Sequence, residues 1–188
     1  MAPDAERSDL ISTLDRHRGF LLQTSEGLTE ERARTASTVS TLSIASILKH
    51  VADTEEQWMQ FALRGDEAFG DSYDQDVDWG AVDAVAAEGG QDGGEDGGEW
   101  EDHRFDLTAE ETLPVLRRRV LDVGRETTRI LEDADLDVSH PLPTAPWFED
   151  GASWSVRRVA LHVLAEISQH AGHADIIREA IDGRRTMG

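Results

Sequence analysis

The run His162-Val163-Leu164-Ala165-Glu166-Ile167-Ser168-Gln169-His170-Ala171-Gly172-His173 places three imidazoles and one carboxylate close together in the chain. Imidazole and carboxylate are ligands for divalent cations, and no thiolate competes with them because the chain has no cysteine. On a helix of 3.6 residues per turn, positions 162, 166, 170 and 173 fall within an arc of about 80°. A rise of about 1.5 Å per residue separates His162 from His170 by roughly 12 Å and from His173 by roughly 16 Å, too far to share an ion with bonds of about 2 Å. Only neighbouring pairs can chelate: His162/Glu166, Glu166/His170 or His170/His173.

The apolar stripe of the same helix ranks these pairs. Val156, Val159, Val163, Ile167, Ala174, Ile177 and Ile181 define its buried side. His170 falls inside that stripe and Glu166 on its border, with His162 and His173 farther out, so Glu166 and His170 are favoured. An imidazole and a carboxylate one turn apart beside an apolar face are costly to bury unpaired. Either they bind each other or they share a cation.

Four helices are expected to hold these groups. The first runs from about Ala5 to Glu26 on Leu10, Ile11, Leu14, Leu21 and Leu22, with His17 read as solvated. The second, from about Leu42 to Leu63, has Ile44, Ile47, Leu48, Val51, Trp58 and Ala62 as its stripe and Gly65 just past its end. The third reaches about Leu131 with Leu113, Leu116, Val120, Thr127 and Leu131 inward. Its start is open between a capping box at Thr108 and a start at Thr112 that puts Pro114 in the first turn. Arg117, Arg118 and Arg119 read as a solvated face that balances nearby acids. The segment from Asp133 to Gly151, with Pro141, Pro143 and Pro146, reads as an irregular connection whose Trp147 and Phe148 could wall a cleft. Ser153 is the expected cap of a fourth helix from about Trp154 to Asp182, closed by Gly183. No strand pattern and no internal repeat appears.

Amphipathic helices joined by long connections imply an all-α fold, a four-helix bundle with crossover connections, in which ligands project inward from facing helices. His50, the only histidine of the second helix, then completes a two-His, one-carboxylate set with Glu166 and His170. Glu55 lies near the middle of the second helix's apolar stripe, where an ionised carboxylate needs a partner. It reads as an acceptor that orients a metal ligand, as an ion-pair partner, or as a group at an open bundle end. Such a set leaves a coordination position for water or substrate, with catalytic residues beyond the ligands left unassigned.

Composition bounds the rest. The 188 residues suffice for one core, so residues 1–188 read as a single domain. Residues 71–102 turn acidic and glycine-rich without periodicity and read as a flexible surface loop, with His103 at its edge. A formal net charge of -21 disfavours nucleic acid and anionic membranes as partners. No stretch approaches the roughly 18 apolar residues of a membrane span and the N-terminus lacks signal-peptide character, so a cytoplasmic location is expected.

The runs Leu48-Lys49-His50-Val51-Ala52-Asp53-Thr54-Glu55-Glu56-Gln57-Trp58 and His162 to Asp175, the latter inside the wider run Arg157 to Gly183, resemble the DinB-like superfamily. The branch they are most similar to is an actinobacterial group related to mycothiol-dependent maleylpyruvate isomerase and mycothiol S-transferases. The resemblance implies a DinB-like helical fold, often as a homodimer. It also implies a divalent metal, zinc first and nickel second, held by His50, Glu166 and His170; on the helical reading above, Glu55, His162 and His173 stand as surrounding or alternative ligands. Mycothiol is the implied cosubstrate. The isomerase carries a further C-terminal domain that this chain does not match, so isomerisation itself is not expected.

Three functions follow from this reading. In the first, the metal activates a small-molecule thiol, which is transferred to an electrophile in a protein that supplies no cysteine of its own. In the second, the same site generates hydroxide for hydrolysis. In the third, a non-catalytic bundle uses metal or a His–Glu contact only to secure its helices or to bind a ligand.

Overall fold

The structure, a computed structural model, describes residues 2–72, 103–144 and 148–186. Among these, five α-helices dominate: α1 (Ala2–Thr24), α2 (Glu30–Ala33), α3 (Ile44–Arg64), α4 (Leu113–Asp133) and α5 (Val156–Asp182). Short 3-10 turns cover Gly65–Ser72 and His103–Phe105. Most of the expected loop at 71–102, and Trp147, lie outside the described residues. The four long helices form a helical bundle in which α5 packs on α1 and α3, and α4 packs on α3 and α1. α3 and α5, the expected carriers of the ligands, are therefore neighbours.

Local chemistry sets the helix ends. Ser43 caps α3 by accepting from the Ser46 amide, while Ser46 Oγ accepts from the Ser43 amide, so two orphan donors are satisfied reciprocally. Gly65 ends that helix at φ +70, a backbone that other residues adopt only under strain. α4 starts from Thr112, which puts Pro114 harmlessly in the first turn and settles the choice of start. Thr112 makes no side-chain cap. Instead Glu30 of α2 accepts from the Leu113 amide at 2.7 Å, and Arg34 donates to the Thr108 and Glu111 carbonyls at 2.9 Å each. The short helix α2, absent from the periodicity reading, thus caps α4 from a distance.

The stripes bury as expected. Ile44, Ile47, Leu48, Val51, Trp58 and Ala62 of α3 join Leu113, Leu116, Val120 and Leu131 of α4 in the core. Val156, Val159, Val163, Ile167, Ala174 and Ile177 of α5 join them, while Ile181 is only partly buried.

Three expectations are corrected. Ser139–Pro141 (β1) and Ser153–Ser155 (β2) form an antiparallel two-stranded sheet in the register Ser139↔Ser155, His140↔Trp154, Pro141↔Ser153. Strands of three residues are too short for a period of two to show in sequence. Ser153 and Trp154 are consequently strand residues, and Ser155 caps α5 by accepting from the Arg158 amide. The arginine run of α4 is not uniformly solvated. Arg117 is half-buried and donates to the Leu22 carbonyl at 2.7 Å, whereas Arg119 balances Asp53 and Glu56 of α3 as expected.

Candidate metal centre

His50 lies on the α5-facing side of α3, and both it and His170 are buried. Glu166 sits one turn before His170 on α5 and retains 27% side-chain exposure. Glu166 Oε2 is 3.6 Å from His170 Nε2 and 3.9 Å from His50 Nε2. One ligand atom from each of the three lies within 4.8 Å of the others. No other group of three or more candidate ligands meets that criterion among the described residues.

These distances discriminate between chemistries. At 3.6 and 3.9 Å the contacts are too long for hydrogen bonds, which run to about 3.2 Å for N–H···O. They lie close to the edge of about 3.4 Å that separates neighbouring ligands on a tetrahedron of roughly 2.1 Å bonds. The spacing is thus longer than a direct His–Glu hydrogen bond and within the range that ligands of one cation could adopt. The buried Nδ1 of His170 has no hydrogen-bond partner among the described residues, while its Nε2 faces the Glu166 carboxylate. The donor set, two imidazoles and a carboxylate, suits a divalent cation such as zinc.

Electrostatics keep the carboxylate ionised. The His170 ring, then the His50 ring, and the nearby His162 hold Glu166 well below the usual carboxylate range against the opposing effect of partial burial. His162 lies on the other side, its Nε2 3.9 Å from Glu166 Oε1. Burial pushes the His162 pKa down and the Arg158 charge adds to this, while Glu166 pulls it up. Oε2 therefore faces the two candidate ligands, and Oε1 faces an imidazole that stays largely neutral.

Aromatic rings enclose the group. Phe105 lies against His50 with centroids 4.4 Å apart and planes 32° off parallel, and its centroid is 6.0 Å from that of His170. Beyond His162, Trp58 and Trp154 stack at 4.9 Å, and the His162 ring meets both edge-on at 4.7 and 5.0 Å. Phe148 joins this wall at 5.7 Å from Trp154 and 6.3 Å from Trp58. The β1–β2 pairing accounts for the geometry, because it carries Trp154 from the end of the proline-rich connection onto α3.

The remaining expected residues fall as follows. His173 is half-buried beside His170, with ring centroids 5.4 Å apart, and its buried Nδ1 has no hydrogen-bond partner among the described residues. Of the roles open to Glu55, the structure supplies the ion pair. Arg18 of α1 donates to its two oxygens at 2.6 and 3.3 Å, and Thr127 of α4 donates to Oε1 at 2.7 Å. Its carboxylate is thereby committed to the α1–α3–α4 seam. His17 is not simply solvated, for its Nδ1 is 3.1 Å from Ser168 Oγ across the α1–α5 contact. His103 pairs with Asp106 at 2.6 Å on the surface, and His140 packs edge-on against Phe61.

Sequence reasoning missed Phe105 and Arg18. Nothing in the residues flanking Phe105 signals it, since it is a lone aromatic after a glycine-rich run. Arg18 carried a readable signal: it occupies the stripe of α1 between Leu14 and Leu21, where a cation needs a buried acid.

Comparison with known proteins gives a match to a family. The sequence model of a family described as Mycothiol-S-transferase, of DinB-like type, matches residues 9–183. No curated protein and no solved structure matches the chain.

Proposed function

The chain belongs to the mycothiol-S-transferase family, and from that membership we propose that it is a metal-dependent enzyme transferring a thiol, mycothiol, to an electrophilic small molecule. The match spans nearly the whole chain, which supports one DinB-like four-helix domain. The observation that carries the proposal is the spacing of His50, Glu166 and His170, whose donor atoms stand apart at coordination distance on adjacent helices.

In this reading His50, Glu166 and His170 hold the cation, zinc by preference and nickel as the alternative. A divalent cation in such a site supplies Lewis-acid chemistry that lowers the pKa of a thiol toward neutrality. That chemistry matters here because the protein offers no cysteine nucleophile. Reaction forms a carbon–sulfur bond, breaks the bond from carbon to the leaving group, and releases the thiol proton.

The chain's own residues prepare that step. Glu166 stays ionised across the physiological range and presents Oε2 to the site. His162 steadies Oε1 from the opposite side. Phe105 fixes the His50 ring by face contact, and the Trp58–Trp154 stack keeps bulk water from the His162 flank.

The test is the metal content of untagged protein purified without chelator or immobilised nickel, beside Glu166→Ala and His170→Ala. Near-stoichiometric metal in the wild type and its loss in both variants is expected, with mycothiol-dependent consumption of 1-chloro-2,4-dinitrobenzene by the loaded wild type. Metal retained by both variants, or turnover of an ester at a rate indifferent to thiol, overturns the proposal.

A further inference from the structure

One row of α5 runs Arg158, His162, Glu166, His170, each one turn from the next. The last three are accounted for by the proposed site. Arg158 is not, and it is held against an aromatic ring rather than by a carboxylate.

The chain carries 39 acidic residues against 18 basic ones, so an arginine has ample opportunity to find a carboxylate. Its neighbour Arg157 does so, pairing with Glu6 and Asp137 at 2.5 Å each. Arg158 has no ion pair among the described residues. Its guanidinium instead lies over the Trp154 ring, 4.8 Å from the centroid. A cation–π contact of this kind holds an arginine in place while leaving its N–H edge open, unlike a salt bridge, which consumes that edge.

The place is equally specific. Trp154 stacks on Trp58 and meets His162 edge-on, and His162 touches Glu166. Arg158 is close enough to lower the pKa of the His162 imidazole through its charge. Two helical turns separate it from Glu166, an axial distance of about 12 Å. The first turn of the 27-residue helix α5 adds its own positive end to the guanidinium.

We propose that Arg158 is an anion anchor of the active site: its guanidinium receives a carboxylate carried by one of the two reactants, whose reacting end lies at His50, Glu166 and His170. The proposal rests on the thiol-transfer reading for its setting, and it names the substrate class of that site. The anchored reactant is an elongated monoanion with its charge roughly 10 Å from the reacting atom, a span consistent with the helical separation.

Binding measurements test this without turnover. Metal-loaded wild type, Arg158→Ala and Arg158→Lys are titrated with N-(4-chloro-3-nitrobenzoyl)-β-alanine, whose carboxylate stands roughly 10 Å from its chlorinated carbon when extended, and with its neutral primary amide, read by quenching of tryptophan fluorescence. A second arm titrates 8-mercaptooctanoate and 8-mercaptooctanol by calorimetry. In at least one arm the carboxylate should bind the wild type about tenfold tighter than its neutral partner, as a charge-assisted contact gives.

Arg158→Ala should abolish that preference while leaving the neutral probe within about twofold of wild type, and Arg158→Lys should keep only part of it, having charge without the planar fork. A preference in the first arm places the carboxylate on the electrophile; a preference in the second alone places it on the thiol, which keeps the anchor and removes mycothiol, whose cysteine carboxyl is tied up as an amide, as the cosubstrate. If neither arm shows a preference, or the preference survives in Arg158→Ala, the anchor is refuted. Thiol-dependent turnover of uncharged 1-chloro-2,4-dinitrobenzene reports on the transfer reaction itself, so its loss with the preference intact removes only that underlying reading.

Discussion

Glu166 is the residue on which the site turns, because it alone faces imidazoles on both of its oxygens. Its carboxyl is held well below the ordinary value of 4.5, chiefly by His170 and His50. A carboxylate whose folded pKa is depressed stabilises the fold fully above its unfolded pKa, and that contribution disappears as pH falls through the folded value. In metal-free protein Glu166→Gln should therefore be less stable than wild type at pH 7, by about 1 kcal/mol after discounting for the exposed part of the side chain. The gap should narrow steadily below pH 4.5, because the unfolded chain takes up a proton there that the folded carboxylate still refuses. Loading with zinc at pH 7 should widen it, since a cation that binds only the folded wild type adds its own linkage term. Urea denaturation curves at pH 7 and pH 3.5 measure both gaps. A difference indifferent to pH would mean that the ionised carboxylate contributes nothing and that the residue acts through shape alone.

At the scale of elements, α1, α3 and α4 are tied by a polar contact buried within the bundle. Arg18 and Glu55 are 4% and 1% exposed, and Arg18 reaches Glu55 across Gly124. A Cβ built on Gly124 would stand 2.5 Å from Arg18 Nε, closer than any real contact allows. Gly124→Ala should thus displace the guanidinium and cost about 3 kcal/mol, close to the cost of Glu55→Ala, which leaves the buried cation only the exposed Asp15 as a partner. The double variant should cost clearly less than the sum of the two, because both remove one interaction. Urea unfolding of the four proteins checks this, and strict additivity would show that the glycine and the ion pair are unrelated.

The same seam shows what a sequence can and cannot disclose. Glu55 was legible as a carboxylate needing a partner, because its position on the stripe of α3 is a local property. Which partner it takes depends on how α1 lies across α3. Likewise the α5 stripe pointed to Glu166 and His170, and His50 followed as the only histidine of α3. Phe105 and Trp154 reach the site through a turn and a three-residue strand pairing that leave no periodic trace. The cap on α4 was hidden for a similar reason, since Glu30 supplies it from more than eighty residues away.

For the molecule as a whole, charge is the dominant long-range term. The formal net charge of -21 makes the folded chain repel itself, while surface ion pairs such as Arg34–Glu30 and Arg157–Glu6 stabilise it only weakly. Salt screens both, with a Debye length near 10 Å at 0.1 M and about 3 Å at 1 M. The Arg18–Glu55 pair, shut away from solvent, is hardly affected. Repulsion among the uncompensated acids acts over many pairs at long range and is screened first, whereas contacts near 3 Å are screened last. The melting temperature at pH 7 should consequently rise by several degrees between 20 mM and 500 mM sodium chloride, with sodium sulfate at equal ionic strength used to separate screening from salt-specific strengthening of apolar burial. A melting temperature that falls with sodium chloride would show that the surface ion pairs outweigh the repulsion. The folded state would then owe more to its arginine pairs than the excess of acids implies.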